Sequence, residues 1–217
     1  MLLALDTSTR YSGVALYEEG RVLLEYTWQS ANYHTEHLAP MVAQALAQVG
    51  APVGALSGVA VALGPGSFTG LRIGLAFAKG LALACHLPVY GISTLAVLAA
   101  AQPPDDLPLL TVLQAGRSRY AVQTAAWMDD AWQLQDEPQI FTLPALLAHA
   151  AQPCIVCGEL HADARQALSA NAPLARLRSP AACLRRPAFL AELAWARHNR
   201  KQTDDPASLN PIYLHFD

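Results

Sequence analysis

Two segments near the N-terminus carry residue types that could do chemistry. Asp6-Thr7-Ser8-Thr9 places one carboxylate and three hydroxyls in a turn between β-patterned runs. Hydroxyls and backbone N–H groups in such a turn can hydrogen-bond a phosphate, and the carboxylate can hold a hydrated divalent cation. The same residue types also satisfy their own backbone in ordinary turns. The second segment runs Gly64-Pro65-Gly66-Ser67-Phe68-Thr69-Gly70-Leu71-Arg72-Ile73-Gly74. Its glycines allow close backbone approach, and the N-terminus of the helix that follows favours anions. No Lys-Ser/Thr follows the last loop glycine, so it is not a P-loop. The competing use of Gly64, Pro65, Gly66, Ser67, Thr69 and Gly70 is structural: they seat a helix against a sheet, with Gly70, Gly74 and Ala78 letting backbones approach.

Other reactive residue types form no recognisable constellation. Of the seven histidines, no two are four apart, and His34 and His37 flank Glu36 without making His-Glu-x-x-His. Cys154 and Cys157 form a CxxC inside a β-branched run, where residues three apart point to opposite faces. With no second CxxC to complete a zinc site, these thiols read as small buried hydrophobes. No catalytic residue and no metal ligand is assigned. Residues 176 to 201 hold Arg176, Arg178, Arg185, Arg186, Arg197, Arg200 and Lys201 against the single acid Glu192. That cluster fits a solvated helix face with flanking loops, or a phosphate contact to RNA.

The elements that must position these residues follow an α/β pattern. Runs 2–5, 13–17 and 21–27 read as a strand meander. Leu38, Met41, Val42, Ala45, Leu46 and Val49 then mark one helix face, with Thr35 as its cap and Pro40 near its first turn. Strand 58–63 alternates Val59, Val61 and Leu63 with small Ala60 and Ala62, so something must pack closely on the small side. Leu71 to Ala84 reads as a helix that is apolar all round, with Leu71, Ile73, Leu75, Phe77, Leu81 and Leu83 around it and only Arg72 and Lys79 as charges. Such a helix is buried on every side, and a small two-domain chain needs a second helix or another protein to cover it. Gln102 to Pro108 is the strongest linker signal, which gives domains 1–104 and 105–217, the last segment packing back on the first. Strands at 109–113, 120–127, 132–135 and 154–157 follow, with a helix capped by Thr142 and another starting at Pro187.

The chain has 217 residues, 53% hydrophobic and 14% charged, with a net charge of -3. That balance excludes a disordered chain and argues against a free-standing nucleic-acid binder. Charges interrupt the apolar stretch 71–101, so no clean run of ~18 residues appears, and the N-terminus lacks a basic leader. The expected location is the cytoplasm, without membrane attachment.

The ordered motifs resemble one family. Leu3 to Thr9 with Gly13 to Leu16, His34 to Met41, Gly64 to Gly74 with Ala78 to Ala82, and Gly91 to Leu95 are similar to the bacterial TsaB (YeaZ) family. The resemblance implies an actin-like ATPase (ASKHA) fold of two related α/β subdomains with mixed sheets, the second reduced. It implies a non-catalytic role in forming N6-threonylcarbamoyladenosine (t6A) at tRNA position 37. There the chain would bind TsaD, the threonylcarbamoyl-transferring relative, with TsaE joining them. The family pairs through its two first-domain helices, which puts the partner interface at Leu38, Met41, Val42, Ala45, Leu71, Gly74, Leu75, Phe77, Ala78 and Leu81. That surface would serve for a homodimer when TsaD is absent, and tRNA would be met only through the complex. Asp6, Thr7, Ser8 and Thr9 would be a vestigial phosphate loop. No nucleotide would bind tightly to the isolated chain, and ATP or ADP would enter only in the complex. Two departures point away from catalysis: the turn Gln114-Ala115-Gly116-Arg117 lacks the acid relatives show first, and Gly158-Glu159-Leu160-His161 lacks a glycine-rich form. The alternative reading is a glycoprotease-like or phosphotransferase-like enzyme with its own nucleotide site.

Overall fold

The computed structural model describes residues 1–30, 34–116 and 118–214, without the side chains of His34 and Thr35. Arg117, of the turn singled out above, and His215 lie outside the described residues. The chain divides into two units, Met1–Val97 with Arg185–Ile212, and Leu98–Leu184 with Tyr213–Asp217.

In the first unit, β1 (Leu2–Asp6), β2 (Tyr11–Glu18) and β3 (Arg21–Gln29) form an antiparallel meander. The β2–β3 turn uses Glu19 and Gly20, both at positive φ, the backbone signature of a tight hairpin. Helix α1 (His34–Gln48) follows and runs on through Pro40, starting one residue before the expected cap Thr35. Then β4 (Gly58–Gly64), α2 (Phe68–Cys85) and β5 (Val89–Ser93) add two parallel strands by a crossover. The sheet order is β3-β2-β1-β4-β5.

Period-2 alternation sorts this sheet into two cores. Leu3, Leu5, Val14, Leu16, Val59, Val61 and Leu63 face α1 and α2. Leu2, Ala4, Ala15, Ala60 and Ala62 face the other way, onto Leu190, Ala191 and Ala194 of α6 (Pro187–Asn199). The small alanines of β4 therefore do have a close neighbour, a helix that arrives from near the end of the chain.

The second unit repeats the plan. α3 (Thr94–Ala100) leads to β6 (Leu109–Gln114), β7 (Arg119–Met128) and β8 (Ala131–Leu134), again an antiparallel meander. Asp129 and Asp130, both at positive φ, make its tight turn. β9 (Gln139–Thr142) pairs with the other end of β7, and α4 (Leu143–His149) begins on the Thr142 cap, whose Oγ1 accepts the Ala145 N–H at 3.4 Å. β10 (Cys154–Gly158), α5 (Ala162–Asn171) and β11 (Ala175–Leu177) complete it. The order β11-β10-β6-β7-β8, with the same parallel and antiparallel pairings, is the first sheet's order read from the other end. The two units are therefore built on one strand order and one set of pairings.

The division between the units differs from the expected boundary. The stretch read as a linker is partly built into the second unit. Gln102 is buried, donating to Ala182 O at 2.9 Å and accepting from Trp132 Nε1 at 3.1 Å, so the division falls after Val97 rather than at 104. Residues 185–212 belong to the first unit because α6 supplies the second face of its sheet. Three elements had no clear sequence signal: β9, β11 and α5, the last a weakly amphipathic helix that buries only Ala164 and Leu168.

Candidate functional site

β1 delivers its C-terminal carboxylate, Asp6, into the turn before β2, and Asp6, Thr7, Ser8 and Thr9 are all buried. The turn closes on itself first: Asp6 Oδ1 accepts the Ser8 N–H at 2.9 Å and the Ser8 hydroxyl at 2.5 Å. The Thr7 hydroxyl donates to Gly70 O at 2.7 Å, at the start of α2. The remaining carboxylate oxygen, Asp6 Oδ2, accepts Arg185 Nε at 2.9 Å. Arg185 Nη2 also donates to Thr9 Oγ1 at 2.8 Å and to Tyr11 O at 3.3 Å. The Asp6–Arg185 ion pair is almost fully removed from solvent, the two side chains being 3% and 1% exposed.

The glycine segment packs directly onto this turn. Ser67 N–H donates to Ser8 O at 2.6 Å. A Cβ on Gly66 would collide with Ser8 O, one on Gly70 with Thr7 O, and one on Gly74 with Thr7 Oγ1. Ser67 caps α2 by accepting the Gly70 N–H at 3.3 Å, and Gly64, at φ +110°, donates its N–H to Thr94 Oγ1 at 3.0 Å. The loop Gly64, Pro65, Gly66, Ser67 and Gly70 thus acts as a clamp on the Asp6 turn, with Thr69 exposed beside it. Chemically, the site is a charged turn whose donors and acceptors are matched within the protein.

Helices α1 and α2 form the second feature. Leu38, Val42, Ala45, Leu71, Gly74, Leu75 and Ala78, all expected at a partner interface, are buried in the unit's own core. They sit on the stripe that faces the sheet, where burial against β1, β2 and β4 is already complete. Met41, Phe77 and Leu81 are half-buried and pack on the same core. Within this chain α2 is covered on one side only, and its outer face is open. Phe68 is 54% and Leu83 80% exposed, and Arg72, Ala76, Gly80 and Ala84 are exposed with them. Phe68, Arg72, Ala76, Gly80 and Ala84 recur every four residues and form one stripe along the helix. The Arg72 guanidinium lies 3.7 Å above the Phe68 ring, a cation–π contact. On α1, Ala39, Ala43 and Ala47 make a parallel exposed stripe of small residues. Gly80 has open space where a Cβ would be, so nothing in this chain requires glycine there.

α2 is long and apolar enough to cross a membrane, yet Leu75, Ala78 and Ala82 pack in the sheet core and Leu71 is buried. Among the described residues, no group of three or more His, Cys, Asp or Glu could hold a metal ion.

Arg185 is the site residue that sequence reading missed. It sits in the basic cluster 176–201, whose members turn out to be largely paired. Arg186 meets Glu25 at 2.6 Å, Arg197 meets Asp204 at 2.8 Å, and Arg176 and Arg178 lie 4.0 and 3.7 Å from Asp105. The only available signal was Pro187, whose helix start two residues on fixes where Arg185 enters the fold. In the Arg197 pair, burial pushes the Asp204 carboxyl up. The Arg197 hydrogen bonds and charge and the Gly91 N–H at 2.7 Å outweigh it and hold the carboxyl below its usual range.

Comparison with known proteins agrees with this geometry. The profile of the TsaD family, tRNA N6-adenosine threonylcarbamoyltransferase, matches residues 28–133. The tRNA threonylcarbamoyladenosine biosynthesis protein TsaB of Escherichia coli K12 is 41% identical over 98 residues, 45% of this chain and 42% of that one. TsaB of Bacillus subtilis is 39% identical over 99 residues, 46% of this chain and 43% of that one. The chain therefore matches these curated relatives over less than half of their length. YeaZ from Pseudomonas aeruginosa superposes with a TM-score of 0.79 at 26% identity, covering 98% of this chain and 99% of that one. In its shared motifs, its sequence identities and this whole-length structural agreement, the chain is similar to TsaB (YeaZ) proteins.

Proposed function

We propose that this chain is a cytoplasmic, non-catalytic subunit of tRNA t6A biosynthesis that docks onto TsaD through the outward face of α1 and α2. The observation that carries the reading is the open outer stripe of α2, which is apolar apart from Arg72. Leu83 at 80% and Phe68 at 54% exposure flank Ala76, Gly80 and Ala84, and α1 carries an exposed alanine stripe of its own. Small residues at four-residue spacing allow a partner helix to approach closely, and the two large apolar side chains supply anchors. Gly80 strengthens the reading, because a mid-helix glycine costs roughly 0.5–1 kcal/mol relative to alanine and this fold gains nothing from it. Similarity to relatives named for tRNA threonylcarbamoyladenosine biosynthesis, and the TsaD-family match over residues 28–133, support TsaD as the partner. The same face serves for self-association when TsaD is absent, TsaE joins the assembled pair, and tRNA is met through the complex.

The isolated chain, on this proposal, holds no nucleotide tightly. The Thr7 and Ser8 hydroxyls and the Ser8 N–H already donate within the protein, and Arg185 occupies the open side of Asp6. A phosphate would have to displace these bonds. ATP or ADP would enter only with the assembled complex. A titration of the isolated chain with ATP and magnesium tests this: saturable micromolar binding would favour the enzyme reading instead.

The docking test uses Leu83→Glu and Ala76→Glu. Both residues are exposed, so neither substitution disturbs the core. Each is expected to weaken binding to TsaD about 10- to 100-fold, the cost of losing one anchor and burying a charge. Unchanged affinity in both variants would overturn the assignment of this face.

A further inference from the structure

The second unit holds a thiol pair that the proposed function does not use. Cys157 lies near the C-terminal end of β10 and Cys183 in the turn that follows β11, both buried. Their sulfurs are 3.6 Å apart, Cys157 Sγ donating to Cys183 Sγ. Cys154, the other half of the CxxC, faces the opposite side of β10, with its Sγ 4.0 Å from Ala150 O. The turn above Cys183 is thin: Ala181 and Ala182, the two residues before it, are exposed.

The surroundings of the two sulfurs differ. Cys183 accepts the Cys157 S–H and the Gly158 N–H, and it sits beside the Arg165 guanidinium, which together lower its thiol against the opposing effect of burial. Donating to Cys183, and burial, push the Cys157 thiol up. A thiolate is the form that attacks an oxidant, so one sulfur is prepared to react first and the other to follow.

We propose that Cys157 and Cys183 form a peroxide-sensitive dithiol that closes to an intramolecular disulfide. The Cys183 thiolate attacks one oxygen of hydrogen peroxide; an S–O bond forms, the O–O bond breaks, and hydroxide departs. That hydroxide takes the proton of the Cys157 thiol and becomes water. The Cys157 thiolate then attacks the Cys183 sulfenic sulfur, an S–S bond forms, and the second hydroxide leaves as water with the proton Cys183 first gave up. The two sulfurs together lose two electrons and the peroxide gains them. The bond needs the sulfurs to close from 3.6 Å to about 2.05 Å, a shift the exposed turn can supply while β10 stays in its sheet. The crosslink would tie β10 to the chain beyond β11 and enclose α5 and β11 in one covalent loop.

The test treats the full-length chain with hydrogen peroxide, alkylates the remaining thiols, and maps the peptides by mass spectrometry. The expected product has lost two hydrogens and contains a crosslinked Cys157–Cys183 peptide that dithiothreitol separates, with Cys154 still alkylated. The crosslink should persist in a Cys85→Ala/Cys154→Ala variant. In Cys157→Ser, Cys183 should gain one oxygen and stop there. Recovery of Cys157 and Cys183 as alkylated thiols, accumulation of Cys183 sulfinic acid in the unsubstituted chain, or a crosslink to Cys85 or Cys154 would each overturn the proposal.

Discussion

Arg185 Nε donates to Asp6 Oδ2 across 2.9 Å, joining residues 179 positions apart in the sequence and leaving both charges out of water. Removing one member of a buried ion pair strands the other charge, which costs about 3–5 kcal/mol. Arg185→Ala should therefore lower unfolding free energy by that order in a urea titration. Arg185→Met with Asp6→Asn should be milder than Arg185→Met alone, because the double change removes the stranded charge. Equal losses for the single and double variants would show that the pair is not coupled.

A contrast along one helix tests the clamp. Gly70→Ala would drive a Cβ into Thr7 O and force the Asp6 turn away from α2. We expect a loss above about 2 kcal/mol, in the range of overpacked core sites. Gly80→Ala, ten residues on in the same helix and facing open space, should gain about 0.5–1 kcal/mol. Thermal melts of the two variants should move in opposite directions. Parallel shifts would mean that the glycines are not distinguished by what lies against them.

The Arg197–Asp204 pair ties the segment after α6 to β5, through Gly91 N–H to Asp204 Oδ2 at 2.7 Å and Arg197 Nη1 to Gly91 O at 2.9 Å. Because the Asp204 carboxyl is held below its ordinary 3.8 in the folded protein, its stabilisation is full above that value. It is lost as pH falls through the lower folded value. Asp204→Asn should thus be less stable than the parent by a constant amount from pH 7 to about pH 5, with the gap shrinking below pH 4. A gap that instead widens on acidification would contradict the sign of the shift.

Much of this architecture was legible in the residues. Alternation in β4 placed valines and alanines on opposite faces and called for a close neighbour, and α6 fills that place. Asp129 and Asp130 announced a tight turn, and Pro187 a helix start. The glycines of the 64–74 segment suggested either an anion site or a packing device, and Gly66, Gly70 and Gly74 do pack closely against Thr7 and Ser8. What could not be read was tertiary. The apolar periodicity of α1 and α2 marks which residues leave water but not what covers them, and Leu38, Leu75 and Ala78 are covered by the unit's own sheet. Arg185 looks like any member of a basic run, and only the return of α6 to the first sheet brings it to Asp6. Cys157 showed a neighbour at Cys154 in sequence, whereas its neighbour in space is Cys183, across α5 and β11.

The central claim, that this chain supports t6A formation by docking without doing the chemistry, is tested most directly in a reconstituted reaction. Threonylcarbamoyl-AMP, TsaD, TsaE, ATP and unmodified tRNA are combined with no added chain, with the parent chain, or with Leu83→Glu, and t6A in the tRNA is quantified. The account predicts strong modification with the parent chain and little without it. Leu83→Glu, folded but weakened in docking, should fall at least about 10-fold at limiting concentration and recover as its concentration rises. Full modification in the absence of the chain, or an unimpaired Leu83→Glu at every concentration, would contradict it.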